Sequence, residues 1–185
     1  MYSMEGGIRA WEGKVATGGV EAGMAFFTPA VGTLQMVALA WAMEEGSRRF
    51  YQGACERLRA DAEAARLLGE LVHAEEEHKR GLLAGYEHLA GKPADPASLV
   101  QELAGTGSGD TMEGGVPVAA ALAWLEGKDL AVVLELAMGL EINAYDLYIK
   151  MERRVDAELR WIFAGLAREE QRHLERLAGL LDRRL

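Results

Sequence analysis

Two Glu-x-x-His pairs stand far apart in this chain: Glu75 with His78 in AEEEH, and Glu170 with His173 in REEQRH. Each pair puts a carboxylate and an imidazole on one face of a helix. Two further glutamates each precede a tyrosine by seven residues: Glu44 and Tyr51 in MEEGSRRFY, Glu141 and Tyr148 in LEINAYDLY. The lone glutamates are 97 residues apart and the Glu-x-x-His pairs 95, so the set is an internal repeat.

These polar groups lie on apolar stripes. Glu75 shares its stripe with Leu68, Leu71, Val72, Leu82 and Tyr86, and Glu170 with Phe163, Leu166, Leu174, Leu177 and Leu181. Glu141 lies with Leu134, Met138, Tyr145 and Tyr148. Glu44 lies with Val37, Trp41, Tyr51, Cys55 and Leu58, while Ser47 and Arg48 border that stripe. Four carboxylates and two imidazoles therefore point inward. An uncompensated buried carboxylate costs several kcal/mol, and cations are the natural compensation. Four Glu and two neutral His carry a formal charge of −4, which two divalent ions cancel. Oxygen-rich ligation with one imidazole per ion suits iron or manganese better than tetrahedral zinc.

The elements that must position these groups are four long helices, expected over about 33–59, 61–90, 129–155 and 156–181. Each is rich in Ala, Leu, Glu and Arg and free of proline. Gly91 and Pro93 close the second. Turns of a residue or so join the first to the second and the third to the fourth, making two antiparallel hairpins. Within each hairpin the candidate ligands meet near mid-helix. Residues 92–128 form a long crossover. PADPASLVQEL reads as a short helix, GTGSGDTMEGG as a flexible loop and VPVAAALAWLEG as a helix opened by Pro117. No stretch alternates with a strand's period of two, so the chain is expected to be all-α: a four-helix bundle over residues 33–185, with 1–32 apart from it.

Composition narrows the partners. With 29 acids against 20 bases the charge is −9, which argues against a nucleic-acid or anionic membrane partner. One cysteine excludes a disulfide framework or a Cys-based zinc or iron–sulfur site within the chain. The start MYSMEGGIRAW lacks a basic segment followed by an apolar one, and the longest apolar run, Val116 to Leu125, is half of what a bilayer needs. A cytoplasmic protein is expected.

Over roughly Thr33 to Leu181 the chain resembles the ferritin-like di-iron carboxylate proteins, and most closely their rubrerythrin-like branch. The matching motif is one Glu from each of two helices and Glu-x-x-His from each of the others. The resemblance implies Glu44 and Glu141 as terminal ligands, Glu75 and Glu170 as bridges, and His78 and His173 as ligands to one metal each. It also implies a ferritin-like bundle, a homodimer and two iron ions, with manganese or mixed metals as alternatives. Two departures stand out. Rubrerythrins carry an extra carboxylate three residues beyond the third-helix Glu, where this chain has Ala144, and a four-cysteine rubredoxin module that a single cysteine excludes here. A shorter resemblance covers residues 2–13, where YSMEGGIRAWEG is similar to the closing strand, Gly-Gly turn and Trp-bearing helix of a rhodanese. It implies the end of a rhodanese domain, or a rhodanese domain as partner, without the sulfurtransferase cysteine loop.

The function this implies is a di-iron or di-manganese oxidoreductase that reduces peroxide or dioxygen with an external electron donor. The alternative is a non-catalytic iron-binding or sensing module associated with a rhodanese. Tyr51 and Tyr148 are either core residues whose hydroxyls need a partner or groups that hydrogen-bond a ligand carboxylate and orient it. Glu45, Glu76, Glu77 and Glu169 are expected to face solvent. His73 and His88 read as ordinary histidines, Cys55 as a buried thiol, and the Trp and Met residues as core filling.

Overall fold

The computed structural model describes residues 26–28, 31–104 and 110–184. It is all-helical: α1 (Thr33–Arg57), α2 (Ala62–Ala90), α3 (Pro96–Glu102), α4 (Val118–Trp124), α5 (Leu130–Glu152) and α6 (Arg160–Asp182). Among the described residues the one β-type pairing is an isolated bridge between Thr111 and Pro117. Short polar residues start several helices. Asp61 caps α2 by accepting from the Ala64 amide, and Asp129 caps α5 by accepting from Val132. Asp95 and Ser98 form a reciprocal capping box at α3, behind Pro96. Gly91, at φ 64°, ends α2 in a left-handed turn.

The backbones of α1 and α2 pack closely, as do those of α5 and α6, and α2 also meets α6. Arg183 and Arg184, beyond the end of α6, pair at 2.8 Å with Glu63 and Asp61 at the start of α2, so these two helices are antiparallel. Tyr148 bonds Glu44 while Tyr51 bonds Glu141, which sets α1 antiparallel to α5. The crossover must then run the length of the helices, from the end of α2 to the start of α5.

Both turns are longer than expected, residues 58–61 and 153–159. In the second, Val155 and Leu159 are buried in the core, and their apolar spacing continues the helical pattern although the backbone has left the helix. The tryptophans divide. Trp41 is buried beneath the Lys79 ammonium, but Trp124 and Trp161 are 51% and 68% exposed and do not fill the core. The segment resembling a rhodanese lies outside the described residues. Phe27 is buried against the core, and its carbonyl accepts from Arg154 at 2.7 Å. No helix of the described residues is long and apolar enough to cross a membrane.

The apolar interior forms two clusters. One gathers Val37, Trp41, Leu82, Tyr86, Leu147 and Phe163; the other gathers Phe50, Leu68, Leu71, Leu134, Leu140 and Leu177. The mid-helix polar residues lie between them. Each fully buried large apolar side chain contributes about 1.5–3 kcal/mol. That packing is what holds a layer of buried carboxylates in place.

Candidate metal centre

Glu44 on α1, Glu75 and His78 on α2, Glu141 on α5, and Glu170 and His173 on α6 are all buried, none more than 6% exposed. They gather into two ligand groups. Glu44, Glu75, His78 and Glu170 form one; Glu75, Glu141, Glu170 and His173 form the other. Within each group the ligand atoms all lie within 4.8 Å of one another. Ligands about 2 Å from a shared ion stand up to about 4 Å apart, so a small contraction closes either group on a cation. Glu75 and Glu170 belong to both groups.

The imidazoles aim Nδ1 inward. Nδ1 of His78 lies 3.2 Å from Glu44 Oε2, 3.3 Å from Glu75 Oε2 and 3.2 Å from Glu170 Oε1. Nδ1 of His173 lies 3.1 Å from Glu141 Oε2 and 3.2 Å from Glu170 Oε2. The two rings stack with centroids 5.5 Å apart. Both tyrosines are fully buried and cross between hairpins: Tyr51 donates to Glu141 and Tyr148 to Glu44. Of the two roles open to them, the hydrogen bond to a carboxylate of the cluster is the one seen.

Electrostatics sorts the carboxylates into unequal pairs. Burial and the neighbouring Glu44 push Glu75 far up; burial and Glu141 do the same to Glu170. Burial also opposes ionisation of Glu44, but the His78 charge and hydrogen bonds from Glu75, His78 and Tyr148 outweigh it and hold Glu44 low. Glu141 is held at about 2, where bonds from Glu170, His173 and Tyr51 overcome burial. His78 rises to about 10, because Glu44 and Glu170 more than offset its desolvation. Without a cation, each Glu pair thus shares a proton between one acid and one carboxylate. Glu170 Oε1, fully buried, has no hydrogen-bond partner among the described residues. A buried carboxylate oxygen without a hydrogen bond, 3.2 Å from the His78 nitrogen, together with two glutamates common to both ligand groups, fits a pair of cations.

Glu113 was not singled out by its sequence. The loop expected to be flexible is folded in over residues 110–116. Its bridge to Pro117 buries Met112, Thr111 and Glu113, while 105–109 lie outside the described residues. Glu113 Oε2 accepts from Ser47, and Oε1 lies 3.3 Å from the Tyr148 hydroxyl. Burial and Glu44 raise its carboxyl to about 8, against the Ser47 bond. Helical spacing could not find it, because it sits on no long helix; a lone Met-Glu before Gly114 and Gly115 is the only cue.

The remaining residues fall as follows. Glu77 is exposed, Glu76 and Glu169 are half-buried, and Glu45 is half-buried between Arg48 and Lys79. His73 and His88 are exposed and stand near Glu77 and Glu158. Cys55 is half-buried, and its thiol donates to the Ala65 carbonyl. An open groove of about 1070 Å³ runs between α2 and α6, lined by His78, His173, Gly81, Gly165 and Trp161. No protein-family model and no curated protein matches this chain.

Proposed function

We propose that this centre holds two iron or manganese ions and that the chain is a rubrerythrin-like oxidoreductase on a ferritin-like bundle. It would reduce peroxide or dioxygen with electrons from an external donor. The observation that carries this reading is the sharing of Glu75 and Glu170 between two buried ligand groups. Such ions would supply one electron each toward cleaving an O–O bond, leaving the protein to provide geometry and protons.

The residues divide that work. Glu75 and Glu170 belong to both ligand groups, so they would serve both ions and would give up the protons they hold on loading. Tyr51 and Tyr148 hold Glu141 and Glu44 in a fixed orientation through single phenolic hydrogen bonds. The two apolar clusters exclude water from either side, which strengthens each charge interaction between them. The groove bordered by His78 and His173 offers a small oxidant its way in. Peroxide takes up two electrons and two protons to give two waters; Glu75 and Glu170 within the cluster, and Glu113 behind Tyr148, are buried acids that would supply protons.

Ferrous protein mixed with hydrogen peroxide under argon should lose its ferrous iron faster than free iron at equal concentration, with two iron ions consumed per peroxide. Loss no faster than in free solution would leave an iron-binding or sensing module, alone or beside a rhodanese, as the better reading. Metal analysis after anaerobic loading separates both from a bundle that binds no metal.

A further inference from the structure

The 97-residue repeat matches Glu44 with Glu141 and Tyr51 with Tyr148; between them it matches Gly46 with Asn143 and Ser47 with Ala144. The surroundings of the two tyrosines do not match. Among the described residues, the hydroxyl of Tyr51 bonds Glu141 alone, whereas that of Tyr148 bonds Glu44 and also meets Glu113. The other oxygen of Glu113 accepts from Ser47, and at the equivalent place the second half offers only the methyl of Ala144. A third buried carboxylate thus attaches to one half of the centre and not to the other.

The fold is built to put it there. A Cβ on Gly46 would lie 2.5 Å from the Thr111 carbonyl oxygen, so only glycine lets the crossover backbone come this close to α1. Gly114 takes φ 81°, and a Cβ there would meet the Asn143 amide at 2.3 Å. Met112, fully buried beside Glu113, anchors the segment in the core.

We propose that Glu113 is a positioning residue that acts through Tyr148 on Glu44, so that the Glu44–His78 subsite holds its metal more tightly than the Glu141–His173 subsite. The inference rests on the two-metal reading above. Tyr148 has one hydroxyl proton and gives it to Glu44, so Glu113 braces the phenol as an acid, donating from Oε1 to the phenol oxygen while Oε2 accepts from Ser47. Tyr148 is then gripped on two sides and Tyr51 on one, and partners behind a ligand typically contribute about 10–100-fold to metal affinity.

Cobalt(II) titration, followed by visible absorption and calorimetry, tests this with each subsite isolated. In a His173→Ala background only the Glu44–His78 subsite keeps its imidazole; in His78→Ala only the other does. Glu113→Ala should weaken cobalt binding about 10–100-fold in the first background and less than about threefold in the second. Glu113→Gln, whose amide can serve both Ser47 and Tyr148, should restore most of the loss. Adding Tyr148→Phe to Glu113→Ala should cost little more than Tyr148→Phe alone, because Glu113 acts through that hydroxyl. A mere plug in the core would instead weaken both subsites alike and lower the melting temperature. Equal losses in the two backgrounds, or losses that multiply with Tyr148→Phe, would overturn the proposal. If Glu113→Ala does not fold, Ser47→Ala frees the same carboxylate without emptying its site and makes the same comparison. Failure of the unmodified protein to take up cobalt would sink the two-metal reading itself, before any variant is compared.

Discussion

In the first hairpin α1 carries Gly46 directly beneath the backbone of Thr111, and Ser47 reaches up to Glu113. In the second, Asn143 and Ala144 stand at those positions on α5, and Asn143 lies against Gly114 of the same crossover segment. Both halves present one lone glutamate, one Glu-x-x-His and one tyrosine to the centre. A duplication can therefore keep two sets of polar groups nearly identical while a segment belonging to neither half makes their surroundings differ. The crossover supplies that difference: it touches both α1 and α5, but its Glu113 meets a serine on α1 where α5 has Ala144.

The largest effects should come from residues that ignore the difference between halves. Protein loaded anaerobically should hold about two ions per chain. Glu75→Ala or Glu170→Ala should remove both, whereas His78→Ala and His173→Ala should each remove about one. Elemental analysis after gel filtration decides this. Wild-type metal content in either Glu variant would mean that the two halves do not share those carboxylates.

The next effect is the response to pH. Glu75 and Glu170 hold protons well above the ordinary carboxylate range, Glu113 up to about 8 and His78 up to about 10. Between the unfolded and folded values of each group the folded state binds the extra proton, so stability falls as pH rises through that window. Glu113 acts between 4.5 and about 8, and His78 between 6.5 and about 10. The metal-free protein should thus melt at progressively lower temperature from pH 5 to pH 9. Metal uptake must displace protons from Glu75, Glu170 and His78, so affinity should rise over the same range and proton release should be measurable in weak buffer. Glu113→Gln should flatten the melting profile below pH 8 and leave proton release on loading largely intact. A metal-free protein that melts at the same temperature throughout would show these groups to be ordinarily ionised.

Smaller effects separate the two hairpins themselves. Gly46→Ala forces a methyl against the Thr111 carbonyl, where backbone must move, and should destabilise by about 1–3 kcal/mol. Gly139→Ala on α5 meets nothing within 4 Å and should stabilise by about 0.5–1 kcal/mol through helix propensity. Urea midpoints compared at one pH distinguish them. A harmless Gly46→Ala would show that the crossover is not held against α1.

The helices, their pairing and the inward direction of six polar residues were legible because each rests on near-neighbour geometry. A stripe at helical spacing and a Gly91 stop act within a turn or two of the chain. Short turns then leave consecutive helices little choice but to pair. Local patterns could not reveal where the helix before Val155 stops, since Val155 and Leu159 keep the apolar spacing after the backbone has turned. They also could not show that Trp124 and Trp161 face outward, for a tryptophan's burial depends on which neighbour covers it. Glu113 is the clearest case. Its partners are Ser47, 66 residues earlier, and Tyr148, 35 residues later, in a segment with no period to read. Spacing along the chain can place a residue on a face of its own helix, but only the packing of separate segments decides which carboxylate is buried beside which tyrosine.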